Sequence, residues 1–217
     1  MKIGSFFALY ILIFVGVYAH NECAPSPSPA SAKKTVIQII LGSTRQERSS
    51  EKIAHALIQK APEKAGVVYE IVDLRDYPLP FLNDSVAPAS RKEITDPAVK
   101  KWSDKITQAN AYIFIVPEYN GGYPGVLKNA LDSLYKEWNN KPVGFVGYSG
   151  GPSGGTSAIA QLRTVTQALK MVPIACDLLI GSAWKALNTK GSFINKAVEQ
   201  EFTSLVDHLI TAVGQIK

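Results

Sequence analysis

The feature that most constrains the fold is an apolar run, AYIFI at 111–115, followed directly by VPEYNGG at 116–122. An apolar run of this length, bounded by Pro and Gly, predicts a strand that is buried on both faces. An amphipathic helix is predicted to start by Gly125. The order of strand, polar loop and helix is typical of an open α/β sheet, in which small molecules bind beyond the carboxyl ends of the strands.

The same alternation of strand and helix continues along the chain from residue 35. Strands are predicted at 35–41, 67–74, 111–116, 143–148 and 171–179. Helices are predicted to start at a Ser49-Ser50-Glu51 cap, at Thr95 or Asp96, by Gly125, at Ser157 and at about Asn195; the first carries its apolar stripe to Ala61 and the third to Trp138. Right-handed crossovers then give a parallel sheet with helices on both faces, and the flavodoxin-like order 2-1-3-4-5 fits five strands.

Composition excludes several other classes of protein. The formal net charge is +5, but Lys and Arg are scattered, whereas a nucleic-acid-binding protein concentrates them on one face. The three histidines are isolated, so no metal site is expected. Cys23 is expected to be a flexible thiol and Cys176 a small core residue, and their spacing gives no support to a disulfide.

Residues 1–19 have the features of a signal peptide. Lys2 is followed by a charge-free run at 4–19 that ends in Val-Tyr-Ala. Residues 20–34, with Pro-Ser-Pro-Ser-Pro at 25–29, are expected to be a linker before a single domain at 35–217. Export with cleavage is therefore expected. The alternative is an uncleaved membrane anchor, for which the run is slightly short.

The loop after the first predicted strand, 42–50, carries groups that suit a terminal phosphate. Such a phosphate needs hydroxyls, free backbone N–H groups at a helix start and a fixed cation. The loop supplies Ser43, Thr44, Ser49 and Ser50 as hydroxyls and Arg45 and Arg48 as cations. It lacks both GxxxxGK[ST] and GxGxxG, so neither a P-loop nor a dinucleotide fingerprint is present. A polar helix cap with solvated arginines is the alternative.

Two further loops suit a flat ring. Tyr119 offers an apolar face, and Asn120 with the neighbouring amides offers hydrogen bonds to a heteroaromatic edge. In the loop at 148–155 (YSGGPSGG), glycines permit close approach of the backbone to a ring system. The alternatives are an ordinary turn and a flexible connector. Together the three loops predict a flat, phosphorylated cofactor.

GSTRQERSSEKIA, PEYNGGYPGVLKNALDSL and KPVGFVGYSGGPSGG, in this order, resemble the NADPH-dependent FMN reductase family of flavodoxin-like quinone, chromate and azo-dye reductases. The resemblance covers about residues 35–180 and implies FMN as cofactor. It implies that the FMN phosphate is held by Ser43, Arg45, Arg48, Ser49 and Ser50. It implies that the isoalloxazine ring is held by Pro117, Glu118, Tyr119 and Asn120, with Tyr148, Ser149 and Gly150 closing its other side.

The resemblance also implies a reaction. NADPH or NADH donates hydride to the flavin and is replaced by a small-molecule acceptor: a quinone, flavin, azo compound or metal oxyanion. No side-chain acid or base is required, so no catalytic residue is expected. The loop 77–97 and residues 184–193 are expected to shape the open side of the flavin pocket, and a homodimer or homotetramer is expected.

Two rival functions remain open from the sequence. Residues 147–151 fit the serine-hydrolase pattern G-x-S-x-G around Ser149, with Asp177 and His208 in hydrolase order. Against it, Pro152 delays the helix that a nucleophile needs, and His208 falls on the polar side of the last helix. The other rival is a flavodoxin-type electron carrier or flavin-dependent interaction protein, although the resemblance leads us to expect carriers to be acidic.

Overall fold

The computed structural model describes Met1 and residues 34–216. The expected signal peptide, nearly all of the expected linker and Cys23 lie outside the described residues. Among the residues described, no helix has the length and apolar character that crossing a membrane requires. The helices and strands are β1 (Thr35–Leu41), α1 (Ser49–Ile58), β2 (Val67–Asp73), α2 (Pro97–Thr107), β3 (Ala111–Pro117), α3 (Gly125–Asp132), β4 (Pro142–Tyr148), α4 (Thr156–Ala168), β5 (Val172–Ile180) and α5 (Ala197–Gln215).

The strands form one parallel sheet in the order β2-β1-β3-β4-β5, which confirms the predicted fold class and strand order. The register pairs Leu41 of β1 with Ile115 of β3, and Pro117 of β3 with Tyr148 of β4. The carboxyl ends of these three strands therefore meet at one edge of the sheet. The loops that follow them are brought together there.

Two apolar layers cover the sheet, one on each face. β3 and β4 are buried along their whole length, as their uninterrupted apolar character predicts. On one face α2, α3 and α4 pack against β3 and β4 around Trp102, Phe114 and Trp138. On the other face α1 and α5 pack against the sheet around Leu57 and Phe202. Cys176 is half-buried against this second layer.

Two sequence expectations about helix ends are corrected by the structure, and one is confirmed. α1 begins at Ser49 after Arg48, and no side chain of the described residues caps it, so the expected Ser-Ser-Glu cap is not formed. α3 ends at Asp132, and Trp138 lies in a separate 3-10 helix at Lys136–Trp138. The apolar spacing in the sequence predicts a single helix here, because the spacing continues across the break between α3 and the 3-10 helix. At α2, by contrast, the Asp96 carboxylate accepts hydrogen bonds from the N–H groups of Ala98 and Val99, as predicted.

A lysine holds the carboxyl end of α2 at the opposite edge of the sheet from the three loops. The Lys141 ammonium donates hydrogen bonds to the carbonyls of Ile106 at 2.9 Å and Thr107 at 3.3 Å, and to the Tyr112 hydroxyl at 3.0 Å. Burial lowers the pKa of Lys141 to about 8, and the charge of Glu137 opposes this only in part.

This lowered pKa makes a testable prediction about stability. Between pH 8 and the ordinary lysine pKa of 10.5, the unfolded chain binds a proton that the folded chain has released. The free energy of unfolding should therefore rise with pH in that window, relative to a Lys141→Met variant. Urea unfolding of both proteins at pH 7 and pH 9.5 measures the difference. The prediction is contradicted if the free energies of unfolding of the wild type and Lys141→Met differ by the same amount at pH 7 and at pH 9.5.

Candidate active site

Three loops meet at the carboxyl edge of the sheet. Loop 1 (42–48) follows β1, loop 2 (118–124) follows β3, and loop 3 (149–155) follows β4. The N–H of Gly42 donates to the carbonyl of Ile115 at 2.9 Å, and the N–H of Glu118 donates to the carbonyl of Tyr148 at 3.0 Å. The N–H of Ser149 donates to the carbonyl of Ile180 at 3.2 Å. Each of the three loops thus leaves the sheet while its first residue is still hydrogen-bonded to the neighbouring strand.

Loops 1 and 2 contact each other through side chains. The hydroxyls of Ser43 and Tyr119 are hydrogen-bonded at 2.7 Å, and the Ser43 hydroxyl also accepts the N–H of Arg45. The guanidinium of Arg45 lies 5.7 Å from the centre of the Tyr119 ring. Arg45 is exposed, and its guanidinium makes no hydrogen bond to any described residue. It is therefore a positive charge that is available to an anion beside a tyrosine ring.

The first turn of α1 carries donors that have no partners. No described side chain caps α1, so its first-turn N–H groups are not satisfied by a cap, and a helix start of this kind attracts anions. Ser50 approaches the Tyr148 hydroxyl with both its side chain and its backbone N–H. The Ser50 Oγ is fully buried, and it forms no well-formed hydrogen bond with the described residues. Burial raises the pKa of Tyr148, although the Ser50 contact opposes the shift.

The sequence predicts Arg48 to be a cation for the phosphate, with a solvated side chain as the alternative, and the structure shows a buried side chain. Its guanidinium is buried and pairs with Asp73 at the end of β2 through both terminal nitrogens. The same nitrogens donate to the carbonyl of Ser43 and to Glu51. Its Nε has no hydrogen-bond partner among the residues described. Asp73, a charged residue that ends an edge strand next to loop 1, was not predicted from the sequence.

Loop 2 is a tight turn with a defined backbone. Tyr119 and Gly122 exchange hydrogen bonds between their backbones at 2.8 and 3.1 Å. Asn120 and Gly121 between them have φ angles of 51° and 77°, and this left-handed pair suits Asn-Gly. Pro117 is buried at the end of β3, whereas Asn120 is exposed. The turn thus holds the Tyr119 ring and the exposed Asn120 in a fixed relation.

Glu118 and Gln161 fasten loop 2 to α4. The Glu118 carboxylate accepts hydrogen bonds from the N–H groups of Ser157 at 2.9 Å and Ala158 at 3.4 Å, and so it caps α4. Gln161 donates to the carbonyl of Gly121 at 2.7 Å. The Glu118 side chain therefore holds the loop rather than facing outward. Gln161 was not predicted, because the pairing joins residues 40 positions apart.

Loop 3 is closed around Ser149. The Ser149 hydroxyl donates to the carbonyl of Gly151 at 2.9 Å and accepts the N–H of Gly154 at 3.0 Å. The N–H of Ala183, after β5, donates to the Ser149 carbonyl at 2.9 Å. Gly150 is exposed, and apart from its two chain neighbours no described residue comes within 4 Å of the position that a Cβ would occupy there. Loop 3 therefore presents open backbone at Gly150 while Ser149 holds its shape.

The serine-hydrolase alternative is contradicted by this geometry. The Asp177 carboxylate is paired with Arg163, and Nδ1 of the exposed His208 is hydrogen-bonded to the carbonyl of Ser204. Neither residue contacts Ser149, whose hydroxyl is engaged within loop 3. α4 begins only at Thr156, whereas a hydrolase nucleophile sits directly before its helix.

Residues 35–185 match the family described as NADPH-dependent FMN reductase. The chain belongs to this family. It is an FMN-dependent oxidoreductase that uses NAD(P)H, and the expected family, enzyme class and cofactors are confirmed.

Individual relatives agree with this assignment. An NAD(P)H-dependent FMN reductase of Schizosaccharomyces pombe is 40% identical over 136 residues, which are 62% of this chain and 67% of that protein. A quinone reductase of Pseudomonas putida is 30% identical over 169 residues, 74% of this chain and 85% of that one. The structure of FerB, a flavoenzyme NAD(P)H:(acceptor) oxidoreductase from Paracoccus denitrificans, is 25% identical with a TM-score of 0.69, covering 84% of this chain and 98% of that chain.

The role of Ser149 gives a prediction. Ser149→Ala should leave the N–H of Gly154 unpaired and lower the free energy of unfolding by about 1 kcal/mol. Ser153→Ala, which loses only a longer hydroxyl contact at 3.3 Å, should have a smaller effect and is the matched control. Ester hydrolysis by the wild type should not exceed the buffer rate. If the wild type hydrolyses esters and Ser149→Ala does not, Ser149 is a nucleophile, and its assignment as a purely structural residue is wrong.

Proposed function

We propose that this reductase passes electrons from NADPH or NADH, through FMN bound at the three loops, to small-molecule acceptors such as quinones and azo compounds. The proposal of quinones is supported by the Pseudomonas putida relative, which is named a quinone reductase. One observation supports the location of the site. Three loops meet at one edge of the sheet, and they supply the open donors of loop 1, the Tyr119 ring and the exposed backbone of Gly150.

The groups of loop 1 fit a terminal phosphate. The uncapped start of α1 offers backbone N–H groups of Ser49 and Ser50, and the buried Ser50 hydroxyl has no partner among the described residues. Arg45 adds an exposed charge that no described carboxylate neutralises. Hydrogen bonds between charged groups are shorter and stronger than neutral ones, so a phosphate dianion is the ligand that these donors suit best.

Loops 2 and 3 fit the ring of the same cofactor. We assign the isoalloxazine to the space bounded by Pro117, Tyr119, Asn120, Ser149 and Gly150. The Glu118 carboxylate caps α4, so any contact from Glu118 to the ring comes from its backbone. Tyr148 borders loops 1 and 3 from the end of β4.

The division of labour in the reaction follows from this assignment. FMN supplies the ability to accept hydride from the nicotinamide and to deliver electrons to an acceptor. The residues of the chain bind the phosphate, orient the ring and keep one side open to the two substrates. We assign no catalytic acid or base.

We also propose that the chain acts as a homodimer or homotetramer. Large apolar side chains are exposed near the site: Phe81 is 85% exposed in the loop 77–96, and Trp184 is 75% exposed after β5. The loop that carries Phe81 is held by Asn129, which accepts the N–H of Leu82 and donates to the carbonyl of Pro80. Exposed apolar patches of this kind often mark surfaces that bind another protein.

Steady-state oxidation of NADPH and of NADH, with and without a benzoquinone, tests the proposed activity. The reductase is expected to oxidise nicotinamide continuously in the presence of the quinone. An electron carrier would bind FMN but show no sustained nicotinamide oxidation under either condition. That outcome would overturn the proposed reaction and leave the flavin site intact.

Arg45 provides a test of the phosphate assignment. Arg45→Ala should weaken FMN binding by about 1.5 kcal/mol, roughly tenfold in affinity, because a charge-assisted contact is lost. Lys60→Ala, which removes one exposed positive charge just beyond the other end of α1, should leave the affinity unchanged. Titration of flavin fluorescence measures both. If Arg45→Ala binds FMN as tightly as the wild type does, Arg45 does not contact the phosphate and is only a solvated side chain.

We further propose that the protein is exported and that its mature chain begins after Ala19. The charge-free run at 4–19 and the Pro/Ser tract that follows support cleavage. The segment before that run lacks a twin-arginine pair, so FMN would be inserted after export. N-terminal sequencing of the protein from its native cell should start at His20. An intact Met1 in the membrane fraction would indicate an anchor, and an intact Met1 in the soluble fraction would refute export.

A further inference from the structure

Four charged side chains form a network beneath loop 1. The network consists of Arg48, Glu51, Asp73 and Arg75, and we call it the Arg48 network. The Asp73 carboxylate accepts hydrogen bonds from both terminal nitrogens of Arg48 and from the backbone N–H and Nε of Arg75. Glu51 accepts hydrogen bonds from both arginines. The two positive and two negative charges balance, so the network by itself has no charge to offer a ligand.

The hydrogen bonds of Arg48 leave it little capacity for direct binding. A guanidinium has five N–H donors, and four of them are used by Ser43, Asp73 and Glu51. The side chain is 1% exposed, and only its Nε lacks a hydrogen-bond partner among the described residues. Arg48 is therefore oriented by its neighbours before any ligand arrives.

The orientation of Arg48 determines the conformation of loop 1. Arg48 donates to the carbonyl of Ser43, while the Ser43 hydroxyl is held by Tyr119. Ser43 is fully buried, and both its backbone and its side chain are thus fixed. Asp73 is paired with Leu41 in the register of β1 and β2, so the carboxylate that anchors Arg48 stands beside the residue that leads into loop 1.

We propose that Asp73 is a positioning residue for the phosphate of FMN. Acting through Arg48, it holds loop 1 and the start of α1 in the conformation that receives the phosphate. The proposal rests on the FMN site assigned above and adds a residue that touches no part of the cofactor. A loop that is already ordered pays less entropy on binding, so the loss of Asp73 should weaken phosphate recognition in particular.

The protonation state of Asp73 suits this role. Burial by itself would raise the pKa of the Asp73 carboxyl, but hydrogen bonds from Arg48 and Arg75 outweigh burial and hold the pKa well below its usual range. Asp73 therefore stays ionised in neutral and mildly acidic solution, and the pairing with Arg48 persists there.

Comparison of FMN with riboflavin tests the proposal, because riboflavin has the same ring and lacks the phosphate. The full chain is freed of flavin and titrated with each. Asp73→Asn should raise the dissociation constant of FMN about tenfold and that of riboflavin by less than about twofold. A general loss of structure would weaken both flavins alike, so an unchanged ratio of the two constants would overturn the positioning role.

A matched control removes a similar ion pair from the same strand. Glu70 of β2 pairs with Lys105 of α2, away from the three loops. Glu70→Gln should leave the ratio of FMN to riboflavin affinity at the wild-type value. If Glu70→Gln lowers the ratio as much as Asp73→Asn does, the effect belongs to β2 in general and the proposal fails.

A second variant covers the case in which Asp73→Asn does not fold because the Arg48 charge is left unpaired. Combining Arg48→Met with Asp73→Leu removes both charges, a replacement that buried ion pairs often tolerate. This double variant should fold and lose the preference for FMN. Retention of the wild-type preference would overturn the proposal. A wild-type protein that does not prefer FMN to riboflavin would instead overturn the FMN site itself.

Discussion

The parallel register of β1, β3 and β4 is the constraint on which the rest of the site depends. Because these strands lie side by side in parallel and end at the same level, loops 1, 2 and 3 lie together at one edge of the sheet. Each loop contributes a different property: open donors at the start of α1, an aromatic face at Tyr119, and open backbone at Gly150. A phosphorylated ring system needs all three at once.

The loops are held by hydrogen bonds that leave their ligand-facing groups open. Arg48 uses its donors on Asp73 and on the backbone of loop 1, Glu118 uses its carboxylate on α4, and Ser149 closes loop 3 on itself. Groups that look like ligands in the sequence therefore serve as supports in the structure. Arg45 and the first turn of α1 remain open for an anion, which is the arrangement that a preformed cofactor site requires.

The sequence was sufficient for the fold and for the three loops that follow β1, β3 and β4, and insufficient for the contacts between those loops. Uninterrupted apolar runs such as AYIFI identify buried strands, and Pro-Glu-Tyr-Asn after one of them identifies a loop at the sheet edge. The pairing of Arg48 with Asp73 and the capping of α4 by Glu118 join residues 25 and 39 positions apart. Such pairings depend on the register of the sheet and on the direction of side chains, neither of which local spacing reports.

The central claim is that the three loops form a site for FMN. The most direct test is to release the bound cofactor from the purified, reconstituted protein by heat and to identify it by chromatography. The released cofactor should be FMN, since loop 1 offers one compact phosphate site and the chain carries no GxGxxG fingerprint for an adenosine-containing cofactor. Recovery of FAD, or of no flavin at all, would contradict the central claim.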